Sequence, residues 1–241
     1  MLKEISSVFS FLTIIPSNNT NLETVAKYMH VFPIIGIGIG LLIASIGFGL
    51  SFFLEPLIVA LLVVASIAII TGIHHTDGLA DFADGLMTRG TKEKKRKAMK
   101  DLSTGSAGIV SVVLSIVGVI IALSLTTGYE LFQAILLSEI LAKFSMVLMA
   151  SIGKSAAVGS NSPFMQIMKD KRRLAVAGVI TIIPLVVIGG TTGLILFGAS
   201  IGITLFLIGL STRSFGGITG DVLGAANELT RLSSLLIFVS L

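Results

Sequence analysis

Three aspartates in one short segment have the spacing of a metal site. Asp77, Asp81 and Asp84 lie at positions i, i+4 and i+7 of the sequence HHTDGLADFADG, residues 74–85. If this segment is helical, the three carboxylates fall within about 60° of one another on one face. Carboxylates that repel at such distances are stabilised by a cation, and oxygen ligands favour Mg²⁺ or Mn²⁺, which often bind substrate phosphates. The pattern therefore predicts phosphate chemistry; the alternative is a polar helix end with acids facing solvent.

Two other polar groups stand close to these acids in the sequence. His75 precedes Asp77 and could bind substrate or support a metal ligand, although histidine is equally often a hydrogen-bonding interface residue. Asp101 opens a stretch, residues 101–108, in which Ser103 and Gly105 precede a hydrophobic segment. Free backbone N–H groups at such a helix start can bind an anion, and ordinary helix entries have the same composition.

A second polar region lies near the end of the chain. Asp221 and Glu228 are separated by seven residues, with Asn227 beside them and the small residues 224–226 between. Acids within a membrane helix usually line a cavity, whereas the small residues favour helix packing.

Another pair, Glu139 and Lys143 at i and i+4, is better explained as an internal ion pair than as catalytic groups.

Composition places these groups in a membrane protein. The chain has 241 residues, of which 54% are hydrophobic and only 12% are charged, and its mean hydropathy is +1.00. Soluble domains carry about 25% charged residues, so a soluble fold is excluded. The absence of cysteine also excludes disulfides, thiolate catalysis and cysteine-ligated metals.

The hydrophobic pattern predicts an all-α, polytopic membrane bundle in a single domain, residues 1–241, without tandem repeats. A spanning helix needs about 20 apolar residues, and this criterion predicts about seven transmembrane helices, near 33–54, 56–73, 106–127, 130–152, 174–190, 192–211 and 217–240. Residues 1–30 contain an apolar stretch that is too short to span, so we expect an interfacial or re-entrant segment there.

The distribution of basic residues predicts the orientation of this bundle. All but Lys143 and Arg231 of the 17 lysines and arginines fall on one side of the predicted spans. The positive-inside rule then makes the N-terminus cytoplasmic, together with the loops 77–105 and 153–173. The run from Lys92 to Lys100 either anchors anionic headgroups or forms a phosphate-attracting rim, and both roles are compatible. Residues 74–105 would form a cytoplasmic active-site segment.

Several motifs, in the same order along almost the whole chain, resemble those of the cobalamin synthase family, the adenosylcobinamide-GDP ribazoletransferases. The most specific are HTDGLADFADG at residues 75–85 and GDVLGAANE at residues 220–228. The supporting segments are FLTIIP at 11–16, FPIIG at 32–36, and MKD at 99–101 with Gly105.

This resemblance implies a Mg²⁺-dependent membrane enzyme. It would join adenosylcobinamide-GDP to α-ribazole, or to its 5′-phosphate, and release GMP. Asp77, Asp81 and Asp84 would bind Mg²⁺, and Asp221 would complete this set or act as a base. Asp101 is the other candidate for either role, and Glu228 is a further candidate for the base. We expect the residues that bind substrate to be His75, Arg89, Lys100, Ser103, Gly105, Arg213 and Asn227.

Other classes of membrane protein also place acids in their helices. A CDP-alcohol phosphatidyltransferase would carry Ala-Arg and a second paired-aspartate motif, which are missing after Asp77, and a prenyltransferase would need a second aspartate-rich loop. An ion-coupled transporter would favour acids near mid-span and an internal repeat.

We therefore expect a multi-pass enzyme of the cell membrane that contacts lipid, does not bind nucleic acid, and faces the cytoplasm with its active site. A homo-oligomer remains an open alternative.

Overall fold

The structure is a computed structural model and describes residues 2–16, 21–156 and 162–241. The described residues form helices, with one isolated bridge between Ser155 and Ile218 and no extended strand. In chain order the helices are α1 (Leu2–Leu12), α2 (Leu22–Lys27), a 3₁₀ turn (Met29–Val31), α3 (Phe32–Leu50), α4 (Pro56–Thr71), α5 (His74–Met87), α6 (Lys92–Ala98), α7 (Ser106–Ser124), α8 (Gly128–Ile152), α9 (Ser162–Ile167), α10 (Lys171–Phe215) and α11 (Gly220–Phe238). The predicted all-α membrane bundle is confirmed.

Four helices in the described part of the chain are long and apolar enough to cross a membrane. They are α3 with the preceding 3₁₀ turn, α7, α8 and α10, and the bent pair α4 and α5 could provide a fifth span. The predicted count of seven is not confirmed by this criterion. Helix α4 has only 16 residues, and α11 carries Asp221, Glu228 and Arg231 among its 19 residues.

Helix α10 changes direction at Gly190. Its 45 residues would extend about 67 Å if straight, far beyond the thickness of a bilayer. Gly190 has φ 54° and ψ −128°, and a Cβ on Gly193 would collide with the Leu185 carbonyl. In a straight helix, residues 185 and 193 would be about 12 Å apart. The chain therefore reverses at Gly190, where the predicted spans 174–190 and 192–211 meet.

Helix α8 is the buried centre of the bundle. Nearly every residue from Leu131 to Ala150 is buried, and α3, α10 and α11 pack against it. Small residues allow α3 to approach closely, since a Cβ on Gly36 would lie only 2.8 Å from the Glu139 carbonyl oxygen. Helix α8 therefore holds in place α11, the helix that carries the second polar region.

The N-terminal segment packs against the same end of the bundle as the acidic helix α5. Val8 and Leu12 of α1 are buried, and the Ile14 N–H donates a hydrogen bond of 2.8 Å to the Ile70 carbonyl at the end of α4. Helix α1 has 11 residues, fewer than the roughly 20 that a span requires. Its location at the membrane interface stays a prediction.

Candidate active site

A sharp turn separates the acidic helix α5 from the hydrophobic helix α4. Gly72 (φ 65°) and Ile73 (φ 54°) both adopt left-handed backbone conformations, and the two helix axes differ by 93°. A positive φ is rare for a β-branched residue such as Ile73 and marks a strained position. Because of this turn, α5 leaves the direction of α4 and packs against α7 and α11. Its location outside the spans, predicted for residues 74–105, stays a prediction.

Helices α5 and α11 cross at two glycines. A Cβ on Gly78 would lie 3.0 Å from the Asp221 carbonyl oxygen and 3.3 Å from the Cα of Gly224. Any side chain at position 78 would push the two backbones apart. The crossing brings the acidic segment 77–84 next to Asp221. The sequence alone could not show this contact.

The acids of α5 and α11 meet beside a cavity of about 590 Å³. Asp77 and Asp221 both line this cavity. Burial, followed by the charges of Asp77, Asp221 and Asp84, raises the pKa of the Asp81 carboxyl to about 6. The four predicted metal ligands therefore repel one another, as expected for carboxylates that a cation would stabilise.

Asp84 has a further role that the sequence did not indicate. Its carboxylate accepts hydrogen bonds from the backbone N–H groups of Gly105 (2.7 Å) and Gly108 (2.8 Å), at the start of α7. The sequence predicted an anion site at the helix start around Gly105. In the structure the Asp84 carboxylate of the protein itself occupies this position. Gly105 is the N-cap of α7 and supplies no side chain, so Asp84 provides the cap from 21 residues away.

This arrangement predicts opposite effects for two neighbouring aspartates in Mg²⁺-free buffer. Asp84→Ala removes two hydrogen bonds to a charged acceptor and should cost about 2 kcal/mol, which lowers Tm by about 5 °C. Asp81→Ala removes like-charge repulsion and should leave Tm unchanged or raise it. Thermal unfolding of the detergent-purified variants in EDTA tests the difference, and an equal loss in both variants would contradict the capping role.

Asn227 and Glu228 lie in a buried ionic network instead of the cavity. Glu228 accepts a hydrogen bond of 2.5 Å from Arg231 and one of 2.9 Å from Asn227. Arg231 also pairs with Glu139, and Lys143 donates to Asn227 (2.7 Å) and lies 3.6 Å from Glu139. The predicted internal pair of Glu139 and Lys143 is confirmed, within a larger network that joins α8 to α11. The predicted roles of Asn227 in substrate binding and of Glu228 in catalysis remain predictions.

The predicted phosphate-binding residues lie around the same end of the bundle. Arg89, Lys100 and Arg213 are exposed, and the charge of Lys100 acts on Asp221. Asp101 and Ser103 are exposed too, and the Asp101 carboxylate accepts the Ser103 N–H (3.1 Å). None of these five residues lines the cavity, and Lys100 is the one whose charge has a weak influence on Asp221.

Part of the basic run on α6 stabilises other helices. Lys95 donates a hydrogen bond of 2.7 Å to the Leu86 carbonyl at the end of α5, and Arg96 donates to the Phe215 carbonyl at the end of α10. Basic groups at helix C-termini are favourable because the last carbonyls carry partial negative charge. These two side chains therefore hold α6 against α5 and α10. Lys92, Lys94 and Lys97 are exposed, and a role for them toward anionic groups stays a prediction.

The chemistry of the donor set fits a hard divalent cation. Carboxylates of α5 and α11 are the ligand type that Mg²⁺ takes in proteins. Within residues 2–16, 21–156 and 162–241, no three His, Asp or Glu side chains already converge tightly enough to hold a metal ion. The predicted ligands Asp77, Asp81, Asp84 and Asp221 would have to draw together around one, and the Asp84 carboxylate is already engaged by two backbone N–H groups.

These features define an α-helical integral membrane protein with an acidic cavity at one end of its bundle. The family described as cobalamin-5-phosphate synthase matches residues 4–239, and the chain belongs to this family of transferases. No solved structure matches the chain.

Relatives named adenosylcobinamide-GDP ribazoletransferase match over nearly their whole length. The relative from Methanocella arvoryzae is 32% identical, with 98% of this chain and 94% of the relative covered. That from Pyrococcus abyssi is 35% identical (96% and 95% covered), and that from Archaeoglobus fulgidus is also 35% identical (98% and 96% covered). The family places the chain at the step that joins the nucleotide loop of cobalamin.

Proposed function

We propose that this protein transfers the adenosylcobinamide phosphate of adenosylcobinamide-GDP to α-ribazole, or to its 5′-phosphate, and releases GMP. The observation that carries the proposal is the crossing of α5 and α11 at Gly78, which places Asp77 and Asp221 on the wall of one cavity. The names of the relatives support the substrates. We further propose that the active site faces the cytoplasm at the cell membrane, because Lys100 and the basic helix α6 lie at the same end as the acids.

The transfer exchanges one phosphate ester for another. A ribose hydroxyl of α-ribazole attacks the phosphorus attached to cobinamide, the P–O bond to GMP breaks, and the hydroxyl proton passes to a base. Of the three candidates for this base, Asp221 lines the cavity, Asp101 is exposed, and Glu228 is paired with Arg231. We therefore propose that Asp221 is the base that accepts this proton.

We propose that Asp77 and Asp81 hold Mg²⁺, and that Asp221 stands beside this pair as the base. When bound, Mg²⁺ would neutralise charge on the pyrophosphate oxygens. Lys100 is close enough to Asp221 for their charges to interact, and it would attract the phosphates to the same place. Asp84 keeps α7 in position through its two backbone hydrogen bonds.

Product formation by the purified protein tests this function. Adenosylcobinamide-GDP and α-ribazole should yield adenosylcobalamin and GMP in equal amounts with Mg²⁺, and EDTA should abolish both products. Chromatography of the corrinoid and the nucleotide measures this directly. A folded wild-type protein that forms neither product in Mg²⁺ would overturn the proposal, and release of CMP from a CDP-alcohol would favour the phosphatidyltransferase alternative.

A further inference from the structure

The cavity that contains Asp77 and Asp221 has two chemically different walls. The acids and His75 come from α5 and α11. The remaining lining comes from the N-terminal helices, α3, α8 and α9. Apart from Ser10 it is an apolar wall, whose side chains are Phe11, Leu22, Met29, Phe32, Met146 and Phe164. An acidic site for phosphate chemistry does not by itself require such a wall, so the wall points to a second part of a substrate.

Phe11 is the central ring of this apolar wall. Its centroid lies 6.4 Å from that of Phe32 and 5.9 Å from that of Phe164. Phe32 is fully buried and Phe164 is 5% exposed, whereas Phe11 is partly exposed and lines the cavity. Two buried rings thus fix the orientation of a third ring that a ligand can reach, which is how aromatic side chains form stacking platforms.

The polar groups of the cavity limit which substrate part can bind there. Among the described residues that line it, there is no lysine, arginine, asparagine or glutamine. The polar edge of guanine and the phosphates of a nucleotide would have no side-chain donors other than histidine and serine. A planar, largely apolar base can instead bury its faces against Phe11 and its neighbours at little cost in desolvation.

His75 supplies an independent indication of a ligand. The side chain is 8% exposed and lines the cavity, and its Nδ1 has no hydrogen-bond partner in the part of the chain that the structure describes. A buried nitrogen without a partner is costly. Because this atom is itself almost inaccessible, a ring nitrogen or ribose hydroxyl of a bound ligand would satisfy it once the His75 ring turns toward the cavity.

We propose that this cavity binds the benzimidazole base of the ribazole substrate, with the base against Phe11 and the ribose directed toward Asp77 and Asp221. The inference rests on the proposed function and adds which substrate the N-terminal segment recognises. It also gives a role to the FLTIIP motif, whose first residue is Phe11. The nucleotide of the other substrate would then lie outside the cavity, on the side of the exposed basic residues.

Direct binding to the full-length protein in detergent tests the base site without any reaction. Equilibrium dialysis would measure the Kd of α-ribazole, and separately that of GMP with Mg²⁺, for the wild type, Phe11→Ala and Phe11→Leu. Loss of stacking on an aromatic ring should raise the Kd of α-ribazole about tenfold in Phe11→Ala, with an intermediate value in Phe11→Leu. The Kd of GMP should not change. Phe206→Ala, at a ring that is 68% exposed on α10, is the matched control and should bind like the wild type.

The outcomes separate this inference from the proposed function. Unchanged α-ribazole affinity in Phe11→Ala, or a weakened affinity for GMP alone, overturns the base site even if the wild type forms product. Failure of the wild type to form product, with α-ribazole binding that still depends on Phe11, overturns the transferase and leaves the base site in place.

Discussion

Asp81→Asn is expected to reduce the rate of product formation about 1000-fold while the protein stays folded. The charges of Asp77, Asp84 and Asp221 all act on the Asp81 carboxyl, so Asp81 is electrostatically coupled to each of the other three acids. An amide removes one negative charge from the proposed Mg²⁺ site and weakens the stabilisation of charge in the transition state, an effect of about 10²–10³ for a single well-placed group. Initial rates at saturating substrates measure kcat.

A Mg²⁺ titration distinguishes this explanation from a general loss of structure. In Asp81→Asn the Mg²⁺ concentration for half-maximal rate should rise, whereas Tm in EDTA should not fall. Asp170→Asn is a suitable control because Asp170 is an exposed acid that caps α10, and asparagine caps helices equally well. A wild-type rate in Asp81→Asn would remove Asp81 from the site, and an equal loss in Asp170→Asn would show that the effect is not local.

The helices were largely predictable because their sequences are long apolar runs with clear breaks. The predicted spans 106–127 and 130–152 correspond to α7 and α8, and Gly190 separates the two arms of α10 as the boundary between 174–190 and 192–211 predicted. The turn between α4 and α5 was not predictable, because Ile73 adopts a backbone conformation that its side chain disfavours.

The candidate site was predictable in composition but not in its contacts. The spacing of Asp77, Asp81 and Asp84 indicated a shared helix face, yet Asp84 interacts with the start of α7, and no local pattern encodes that contact. The aromatic wall was also missed, because Phe11 belongs to a segment whose apolar residues suggested only an interface. Contacts between residues far apart in sequence depend on how helices cross, and the spacing within one helix does not contain that information.

A contact between two helices also underlies the second large expected effect, a loss of stability in Arg231→Met. Arg231 is 2% exposed and pairs with Glu139 of α8 and with Glu228 of its own helix. Arg231→Met leaves two buried carboxylates with Lys143 as the one compensating charge among the residues that the structure describes. Removing one partner of a buried ion pair costs about 3–5 kcal/mol, which corresponds to a Tm about 10 °C lower for a chain of this length.

A double-mutant cycle shows whether the network, and not merely the loss of an arginine, produces this change. Glu139→Gln combined with Arg231→Met removes charge from both sides, so the double variant should lose clearly less than the sum of the two single variants. Arg213→Met, at an exposed arginine near the end of α10, should shift Tm by no more than about 1 °C. Additive losses would mean that Arg231 and Glu139 act independently. A coupled loss would show that the ionic network fixes α11, the helix that begins next to Asp221, against α8.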